Sequence, residues 1–370
     1  MSGDDARDAV PDVDERFAAA ARASRSSLWR ERITPAERLA RLATACDELG
    51  VDEWDVYGEG GPVAMLEGQV AELLGKPAAV LLPSGIMAQQ ATLRVWCERM
   101  GSMRVAIPDL AHQLSHEGDG PRLLQGFRFE WLTQGRRVAT AADLRALPEG
   151  LGAVQVELPL RDAGCLLPTW EELTDLSAAA RDLGVPLHVD GARLWESQPF
   201  WDRPLPEIAA LADSVYVSFY KGLGGLAGAV VVADTDVVDE IRLWRTRMGG
   251  TLFHLTPYAV SGLVGLRDEL PRMGECVAWA RELAAGLVRR GFDVHPDPPH
   301  TNTFEVYARV GRDVLIERGI RLIEREHVQM NPGWRDSDVP GVSTAELAIH
   351  TVALAHDPAR VAGWYAELLG

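Results

Sequence analysis

Short apolar runs that alternate with amphipathic segments are the feature that most narrows the fold of this 370-residue chain. In a parallel sheet covered by helices on both faces, strands read as continuous apolar runs rather than as alternating patterns. The pattern therefore predicts an α/β protein built on a mainly parallel sheet. The predicted strands of the middle region are AAVLLP (78–83), RVAIPD (104–109), LLQGFRFEWL (123–132), AVQVELPL (153–160), VPLHVDGA (185–192) and SVYVSFY (214–220).

The charge of the chain limits its partners. Lys and Arg number 37 against 54 Asp and Glu, so the net charge is −17. Nucleic acids and anionic membranes attract clustered positive charge, and we expect neither as a partner. No apolar run approaches the length of a membrane-spanning helix, and the acidic N-terminus lacks the apolar stretch of a secretory signal. Four scattered cysteines without a CxxC pair favour reduced thiols in a cytoplasmic protein.

The patterning predicts three parts along the chain. Residues 1–50 read as an N-terminal arm, disordered or loosely attached over its first half, followed by a helix that starts at a Thr-Pro step. Residues 51–255 hold the alternating segments and form the large domain. Residues 256–370 begin with a long helical stretch, interrupted near Pro271, and continue as mixed strands and helices. We expect this last part to be a smaller α+β domain.

Lysine is almost absent from the chain: Lys76 and Lys221 are its only two lysines. Lys221 directly follows an apolar strand and opens the glycine-rich turn KGLGG. A partly desolvated lysine amine is suited to Schiff-base formation with a carbonyl compound or with pyridoxal phosphate, whereas arginine keeps its proton. The alternative is a strand-end lysine that reaches solvent, and the scarcity of lysine favours the chemical role.

The turn after Lys221 also matches the glycine spacing of a dinucleotide-binding fingerprint. That fingerprint needs a helix after the turn, so that the helix N-terminus meets the pyrophosphate. Here the apolar, β-branched segment AVVVAD follows, which predicts a strand. A nicotinamide-dependent oxidoreductase is therefore disfavoured.

The segment PLHVDGARLWES places Asp190 at the end of an apolar strand and Arg193 three residues later. A pyridoxal ring withdraws electrons when its nitrogen stays protonated, and a buried carboxylate enforces that protonation. Arg193 is then a candidate contact for the cofactor's phenolate oxygen or for a substrate carboxylate. An Asp–Arg pair that merely joins strand to helix is the alternative, and the nearby Lys221 favours the cofactor role.

The segment LLPSGIMAQQ turns from a strand into a helix at Ser84 and Gly85. Free N–H groups at the start of a helix bind phosphate. Ser84 also fits an ordinary helix N-cap, so this segment supports a pyridoxal-phosphate site but does not establish one.

The segment DLAHQLSHEG carries His112 and His116 in i, i+4 spacing, followed by Glu117. Zinc enzymes that use two such histidines have an HExxH order and a third ligand, and neither is recognisable here. We expect no metal. A histidine that stacks on a ring or acts as a base near pH 7 fits better, with a plain surface histidine as the alternative.

These segments resemble those of threonine aldolases and their β-eliminating lyase relatives, which are fold-type-I pyridoxal-phosphate enzymes. VYGEGGPVAMLEGQVAELLGK, VLLPSGIMAQQ, the Ala-His step at His112, LHVDGARLW and SVYVSFYKGLG occur in the family's order, and HTNTF near the C-terminus also fits. The resemblance implies a PLP-dependent transferase-like fold, pyridoxal 5′-phosphate as cofactor and an amino acid as substrate. It also implies a homodimer or homotetramer with active sites at the subunit interface.

The resemblance implies roles for individual residues. Lys221 would form the Schiff base, Asp190 would hold the ring nitrogen, and His112 would stack on the ring and take part in proton transfer. Arg193 would contact the cofactor oxygen or the substrate. Tyr57 would help to bind substrate in a neighbouring subunit's site. The phosphate would be held by Ser84, Gly85, Ile86 and Ser218.

The parts that bind substrate in the family differ in this chain. The family's Arg-Ser-Asp-Thr stretch is not recognisable around RASRSSLWRERITP, and Ile86 stands where the family has Thr. Phe253 occupies the place of an Arg, and AELAIHTVAL lacks the usual carboxylate-binding Arg. We therefore predict a larger, less charged pocket, lined by Trp195, Phe253, His254 and His350. Alternatively, another arginine has taken over the role, such as Arg25, Arg30 or Arg247.

The sequence thus predicts a pyridoxal-phosphate-dependent lyase that cleaves a β-hydroxy-α-amino acid to glycine and an aldehyde. The first alternative is β-elimination, or other chemistry at Cα, on a different amino acid. The second is a protein that binds the cofactor but has a structural or regulatory role. With two family arginines missing, we expect plain L-threonine to be a poor substrate and a bulkier or carboxylate-modified amino acid to be preferred.

Overall fold

The computed structural model describes residues 12–370, in which strands and helices alternate as the apolar runs predict. The helices are α1 (Val13–Ala23), α2 (Pro35–Leu49), α3 (Gly61–Leu74), α4 (Gly85–Met100), α5 (His112–Ser115), α6 (Gly120–Gln125), α7 (Ala141–Arg145), α8 (Trp170–Asp182), α9 (Leu194–Trp201), α10 (Leu205–Ala209), α11 (Thr235–Arg247), α12 (Thr256–Asp268), α13 (Met273–Val288), α14 (Arg312–Glu326) and α15 (Pro358–Leu369). The strands are β1 (Ser26–Ser27), β2 (Ala78–Leu82), β3 (Arg104–Pro108), β4 (Arg128–Thr133), β5 (Ala153–Glu157), β6 (Leu187–Gly191), β7 (Ser214–Ser218), β8 (Ala229–Ala233), β9 (Asp293–His295), β10 (Thr303–Ala308), β11 (Val328–Gln329), β12 (Arg335–Asp336) and β13 (Ser343–Ala348).

The large sheet has seven strands in the order β2-β8-β7-β6-β5-β3-β4. Strand β8 runs antiparallel to β2 and β7, and the other pairs are parallel. Every residue of β5, β6, β7 and β8 is buried, as expected for strands covered on both faces. Because neighbouring parallel strands share one direction, the carboxyl ends of β5, β6 and β7 lie at the same edge of the sheet.

The sequence predictions for this sheet are confirmed except near β4. The predicted strand at 123–132 is wrong in its first half, where the chain forms α6 and only then enters β4. Gly126 ends α6 with a left-handed φ of 72°, and Leu123 and Leu124 are exposed. Their apolar character therefore does not reflect burial in the sheet. The segment AVVVAD, in contrast, forms the predicted strand β8.

The chain divides into two compact units, and the division differs from the predicted one. The large unit spans Ile33–Val277, and the small unit combines the N-terminal residues up to Arg32 with Ala278–Gly370. The predicted boundary near residue 255 is too early, because α12 packs against α2 and α3 of the large unit. The division falls inside α13 instead.

The small unit is the predicted α+β structure. Its antiparallel sheet has the order β12-β13-β10-β9, and β1 pairs in parallel with β11. The prediction of a loose N-terminal arm is wrong for α1, which packs against α14 and places Phe17 in the hydrophobic core of this unit. An ion pair between Arg16 and Glu317 joins the same two helices. Residues 1–11, also predicted to be loose, lie outside the described residues.

None of the four cysteines, all of which lie in the described part of the large unit, forms a disulfide. Cys97, Cys165 and Cys276 are buried thiols, and Cys46 is partly exposed.

Across residues 12–370, no group of three or more His, Cys, Asp or Glu side chains is placed to hold a metal ion. None of the helices in this part of the chain has the length and apolar character that crossing a membrane requires.

The packing of α1 gives a first prediction. Replacing Phe17 by Ala removes a large buried side chain from the small unit's core, and we expect it to lower the free energy of unfolding by about 3 kcal/mol. Chemical denaturation of the wild type and the variant measures the difference. Leu39→Ala, at a side chain that is 59% exposed, is the control and should change stability little. Equal effects of the two substitutions would contradict the assignment of α1 to the core.

Candidate active site

Two acidic side chains end neighbouring strands at the carboxyl edge of the large sheet. Glu157 is the last residue of β5, and in the parallel register it lies directly beside Asp190 of β6. Both residues are buried. Asp190 accepts a hydrogen bond from the Ala192 N–H at Oδ1, 3.0 Å away. Two carboxylates side by side in a dry environment cannot both ionise easily, so this edge needs positive charge nearby.

The pKa values of Glu157 and Asp190 are both shifted by this environment. Burial, followed by the negative charge of Asp190, raises the pKa of Glu157 to about 7. Burial also raises the pKa of Asp190, and the Lys221 ammonium opposes that rise. The carboxylates and Lys221 thus lie within reach of one another's charge, although they come from three different strand ends.

Lys221 lies in the turn between β7 and β8, as the sequence predicts. Burial and then the Arg193 guanidinium lower the pKa of the Lys221 amine, whereas Asp190 and Glu157 raise it. The amine lies 5.8 Å from the centre of the Tyr220 ring. A lowered pKa increases the neutral, nucleophilic fraction of the amine, which is what carbonyl chemistry needs.

His112 begins α5, at the end of the segment that follows β3. Its backbone N–H donates to Glu157 Oε2 at 3.0 Å, which ties the start of α5 to the carboxylate pair. Its Nδ1 lies 3.6 Å from Oε1 of Glu117, whose side chain is almost fully buried. The Nδ1 side of the ring therefore faces a carboxylate at ion-pair distance. The second histidine, His116, contacts Asp162 instead, with 2.8 Å between Nε2 and Oδ2.

The predicted phosphate-binding turn forms the N-terminus of α4. Ser84 Oγ accepts the Met87 N–H at 3.2 Å and so acts as the N-cap, which was the alternative interpretation of this serine. Gly85 is required by its surroundings, because a Cβ at this position would collide with the Tyr216 hydroxyl. Ile86 follows with an exposed side chain. Helix α4 is 16 residues long, and the backbone N–H groups of its first turn have no acceptor within the helix.

Three predicted residues have other contacts. The Ser218 hydroxyl donates to the Ala192 carbonyl at 2.7 Å, so its proton is used inside the fold. Trp195 is buried and donates through Nε1 to the Ser218 carbonyl, so it does not line an open pocket as predicted. The Tyr57 N–H donates to the Phe253 carbonyl, and the exposed rings of these two residues lie 5.3 Å apart.

The loop residues predicted to line the substrate pocket fall in both units. Phe253 and His254 belong to the large unit, with ring centres 4.1 Å apart. His350, like the alternative arginines Arg25 and Arg30, belongs to the small unit.

Two glutamates were missed by the sequence analysis. Glu157 carries the same signal as Asp190, a carboxylate at the end of an apolar strand, and could have been found by treating neighbouring strand ends together. Glu196 lies in the first turn of α9 and is fully buried beside Gly222, and the sequence has no comparable signal for it. In the folded chain, Gly222 of the turn after Lys221 packs against its carboxylate.

A sequence profile of the Beta-eliminating lyase family matches residues 37–310. The chain belongs to this family. A crystal structure of a candidate L-allo-threonine aldolase from Listeria monocytogenes superposes with a TM-score of 0.90 and 32% identity, covering 97% of this chain and 99% of that one. A candidate aromatic amino acid beta-eliminating lyase/threonine aldolase from Exiguobacterium gives 0.88 and 30%, covering 95% and 99%. The low specificity L-threonine aldolase of Escherichia coli O157:H7 is 28% identical over 265 residues, 70% of this chain and 78% of the relative.

This family membership makes the protein a lyase that depends on pyridoxal phosphate, with the fold-type-I architecture that the sequence predicts. The residues present fit the cofactor. The buried Asp190 carboxylate can accept a hydrogen bond from a protonated ring nitrogen. Lys221 carries a buried amine that interacts with the charge of Asp190. The 16-residue helix α4 begins at Gly85, and the N–H groups of a helix's first turn are available to hold a phosphate.

The raised pKa of Glu157 predicts a specific pH dependence of stability. The folded protein binds this proton more tightly than the unfolded chain, whose glutamate titrates near 4.5. The resulting stabilisation is complete below that value and is lost as the pH rises through about 7. Because Gln cannot ionise, we expect Glu157→Gln to gain as much as about 3 kcal/mol relative to the wild type between pH 4.5 and pH 8.

Denaturation of the cofactor-free protein at both pH values measures this relative gain. Glu149→Gln, at an exposed loop position, should follow the wild type at both. A Glu157→Gln protein whose stability changes with pH as much as that of the wild type would refute the assignment.

Proposed function

We propose that this protein cleaves the Cα–Cβ bond of a β-hydroxy-α-amino acid, releasing glycine and an aldehyde. One observation carries the proposal: the sheet brings Lys221, Asp190 and His112 to one edge from three separate segments of the chain. The similarity to proteins named threonine aldolases supports the same reaction. Pyridoxal phosphate, when bound, supplies the electron-accepting ring that stabilises negative charge left at Cα.

Each of the three side chains at this edge has a separate role. Lys221 supplies the amine that holds the cofactor covalently. Asp190 holds the proton on the ring nitrogen, and it can do so because its own environment is dry and the Ala192 N–H fixes its carboxylate. His112 removes the proton of the substrate's β-hydroxyl through Nε2 as the Cα–Cβ bond breaks. Glu117, on the Nδ1 side, stabilises the imidazolium that results.

Substrate binding rests on fewer charges than in the family. Arg193 lies close enough to Lys221 to lower the pKa of the amine, which makes it the candidate for a substrate carboxylate. In place of a second arginine, the chain has Phe253, packed against His254. Asp55 holds this segment to the Tyr57 loop, because its carboxylate accepts the N–H groups of Leu255 and Gly58. Such an aromatic surface favours a bulky substrate side chain over the methyl group of threonine.

We further propose that the protein works in the cytoplasm as a homodimer or homotetramer, with Tyr57 acting in a neighbouring subunit's site. Several large apolar side chains of the two loops are exposed, which supports burial against a second copy. They are Trp54, Val56, Tyr57, Leu252 and Phe253. The four cysteines, none of which forms a disulfide, fit a reducing compartment.

The role of Lys221 predicts where the cofactor is attached. Borohydride reduction of the loaded protein should fix the cofactor to this lysine, because reduction turns the carbon–nitrogen link into a stable amine. Peptide mass spectrometry locates the attachment, and the control is Lys76→Arg, which should be labelled like the wild type. A Lys221→Ala protein that still forms a reducible covalent adduct would defeat the assignment.

The aromatic loops predict the substrate preference. We expect kcat/KM for L-threonine to lie well below about 10⁴ M⁻¹s⁻¹, a value typical of a competent enzyme, and to be at least about tenfold higher for β-phenylserine. Aldehyde release measures both. Efficient threonine cleavage would show that another arginine has replaced the missing ones. Elimination products without an aldehyde would favour a β-eliminating enzyme, and no turnover of any amino acid would favour a structural or regulatory role.

A further inference from the structure

A buried carboxylate beside Lys221 has no part in the roles described so far. Glu196 is 1% exposed, and its Oε2 accepts no hydrogen bond from the described residues. The other oxygen, Oε1, lies against Gly222, where a Cβ would overlap it, and the Gly222 N–H donates to the carboxylate. A buried carboxylate oxygen without a donor is costly. This oxygen lies near Lys221 and is available to accept a donor.

Three carboxylates raise the pKa of the Lys221 amine, and two of them are already engaged. Glu157 accepts the N–H of His112 at one oxygen and the N–H of Arg161 at the other. Asp190 is the partner proposed for the cofactor's ring nitrogen. Glu196 is the member of the three that keeps a free acceptor on the side of the Lys221–Gly222 turn.

We propose that Oε2 of Glu196 receives the Lys221 ammonium whenever the lysine is not bonded to the cofactor. Without this acceptor, the ammonium would face the Arg193 guanidinium in a dry site with too little compensation. Glu196 is then a positioning residue: it fixes the turn through Gly222 and holds the released lysine close to its place of return. The inference rests on the proposed role of Lys221 in holding the cofactor.

The charges around this pair are few. Arg193 faces Glu196 from the start of α9, and Lys221 faces it from the turn after β7. Cys276 of α13 also lies within its reach, but burial raises the pKa of this thiol to about 12, so it stays neutral near pH 7. Lys221 is the flexible cation of this group, since its amine ends a four-carbon stem.

The presence of only two lysines makes a direct test possible. Reductive ¹³C-dimethylation of the full chain without cofactor labels Lys76, Lys221 and the N-terminal amine, and Lys76→Arg assigns the lysine resonances. Glu196→Gln keeps an oxygen for the Gly222 N–H but carries no charge. We expect the titration midpoint of the Lys221 resonance to fall by about one unit, a tenfold weaker hold on the proton. The Lys76 midpoint should stay unchanged.

Two further variants complete the test. Glu72→Gln, at an exposed position of α3, is the matched control and should leave both midpoints as in the wild type. Glu196→Asp keeps the charge but moves it away by one methylene, so it should lower the Lys221 midpoint by less than Gln does. If Glu196→Gln does not fold, the Asp variant decides alone.

An unchanged Lys221 midpoint in the folded Glu196 variants would overturn the proposal and leave Glu196 as a partner of Arg193 or of the turn alone. The borohydride experiment is independent of this result. A cofactor attached elsewhere would refute the proposed function without altering the titration of Lys221.

Discussion

The side-by-side carboxylates of Glu157 and Asp190 are the constraint on which the rest of the site depends. The parallel register of β5 and β6 places them side by side, and both are buried, so water does little to screen their repulsion. The fold offsets it with backbone N–H groups at Glu157 and Asp190 and with the ammonium of Lys221. The groups that make the site reactive are therefore the same groups that keep its buried charge tolerable.

The sequence could predict the sheet and the two central residues because both follow from local pattern. Continuous apolar runs mark buried strands, and a single polar side chain at the end of such a run must lie at the sheet edge. Lys221 and Asp190 both have this signature, and the parallel order of β6 and β7 brings them together. His112 follows β3 after a short turn and reaches the same edge.

What the sequence could not predict depends on contacts between distant segments. Phe17 reads as part of an acidic, alanine-rich arm, and only its packing in the core with residues of α14 reveals a structured helix. The burial of Glu196 depends on the Gly222 turn, and that of Trp195 on the Ser218 carbonyl, which no local pattern contains. The predicted domain boundary near residue 255 differs from the observed one for the same reason, because α12 packs against α2 and α3 of the large unit.

The two loops that carry Tyr57 and Phe253 are built differently from the sheet edge that carries the carboxylates and Lys221. The two carboxylates are fixed by the register of β5 and β6, and Lys221 follows shortly after the end of β7. Phe253 and Tyr57 lie on loops that are joined by a backbone hydrogen bond and by the Asp55 carboxylate, which accepts N–H groups from both segments. The Asp55 carboxylate accepts backbone N–H groups from Gly58, Leu255 and Thr256 and one side-chain donor, the Thr256 hydroxyl. Loop side chains other than Thr256 can therefore change without loss of these contacts. The residue at position 253 can therefore vary while Lys221, Asp190 and His112 keep their places.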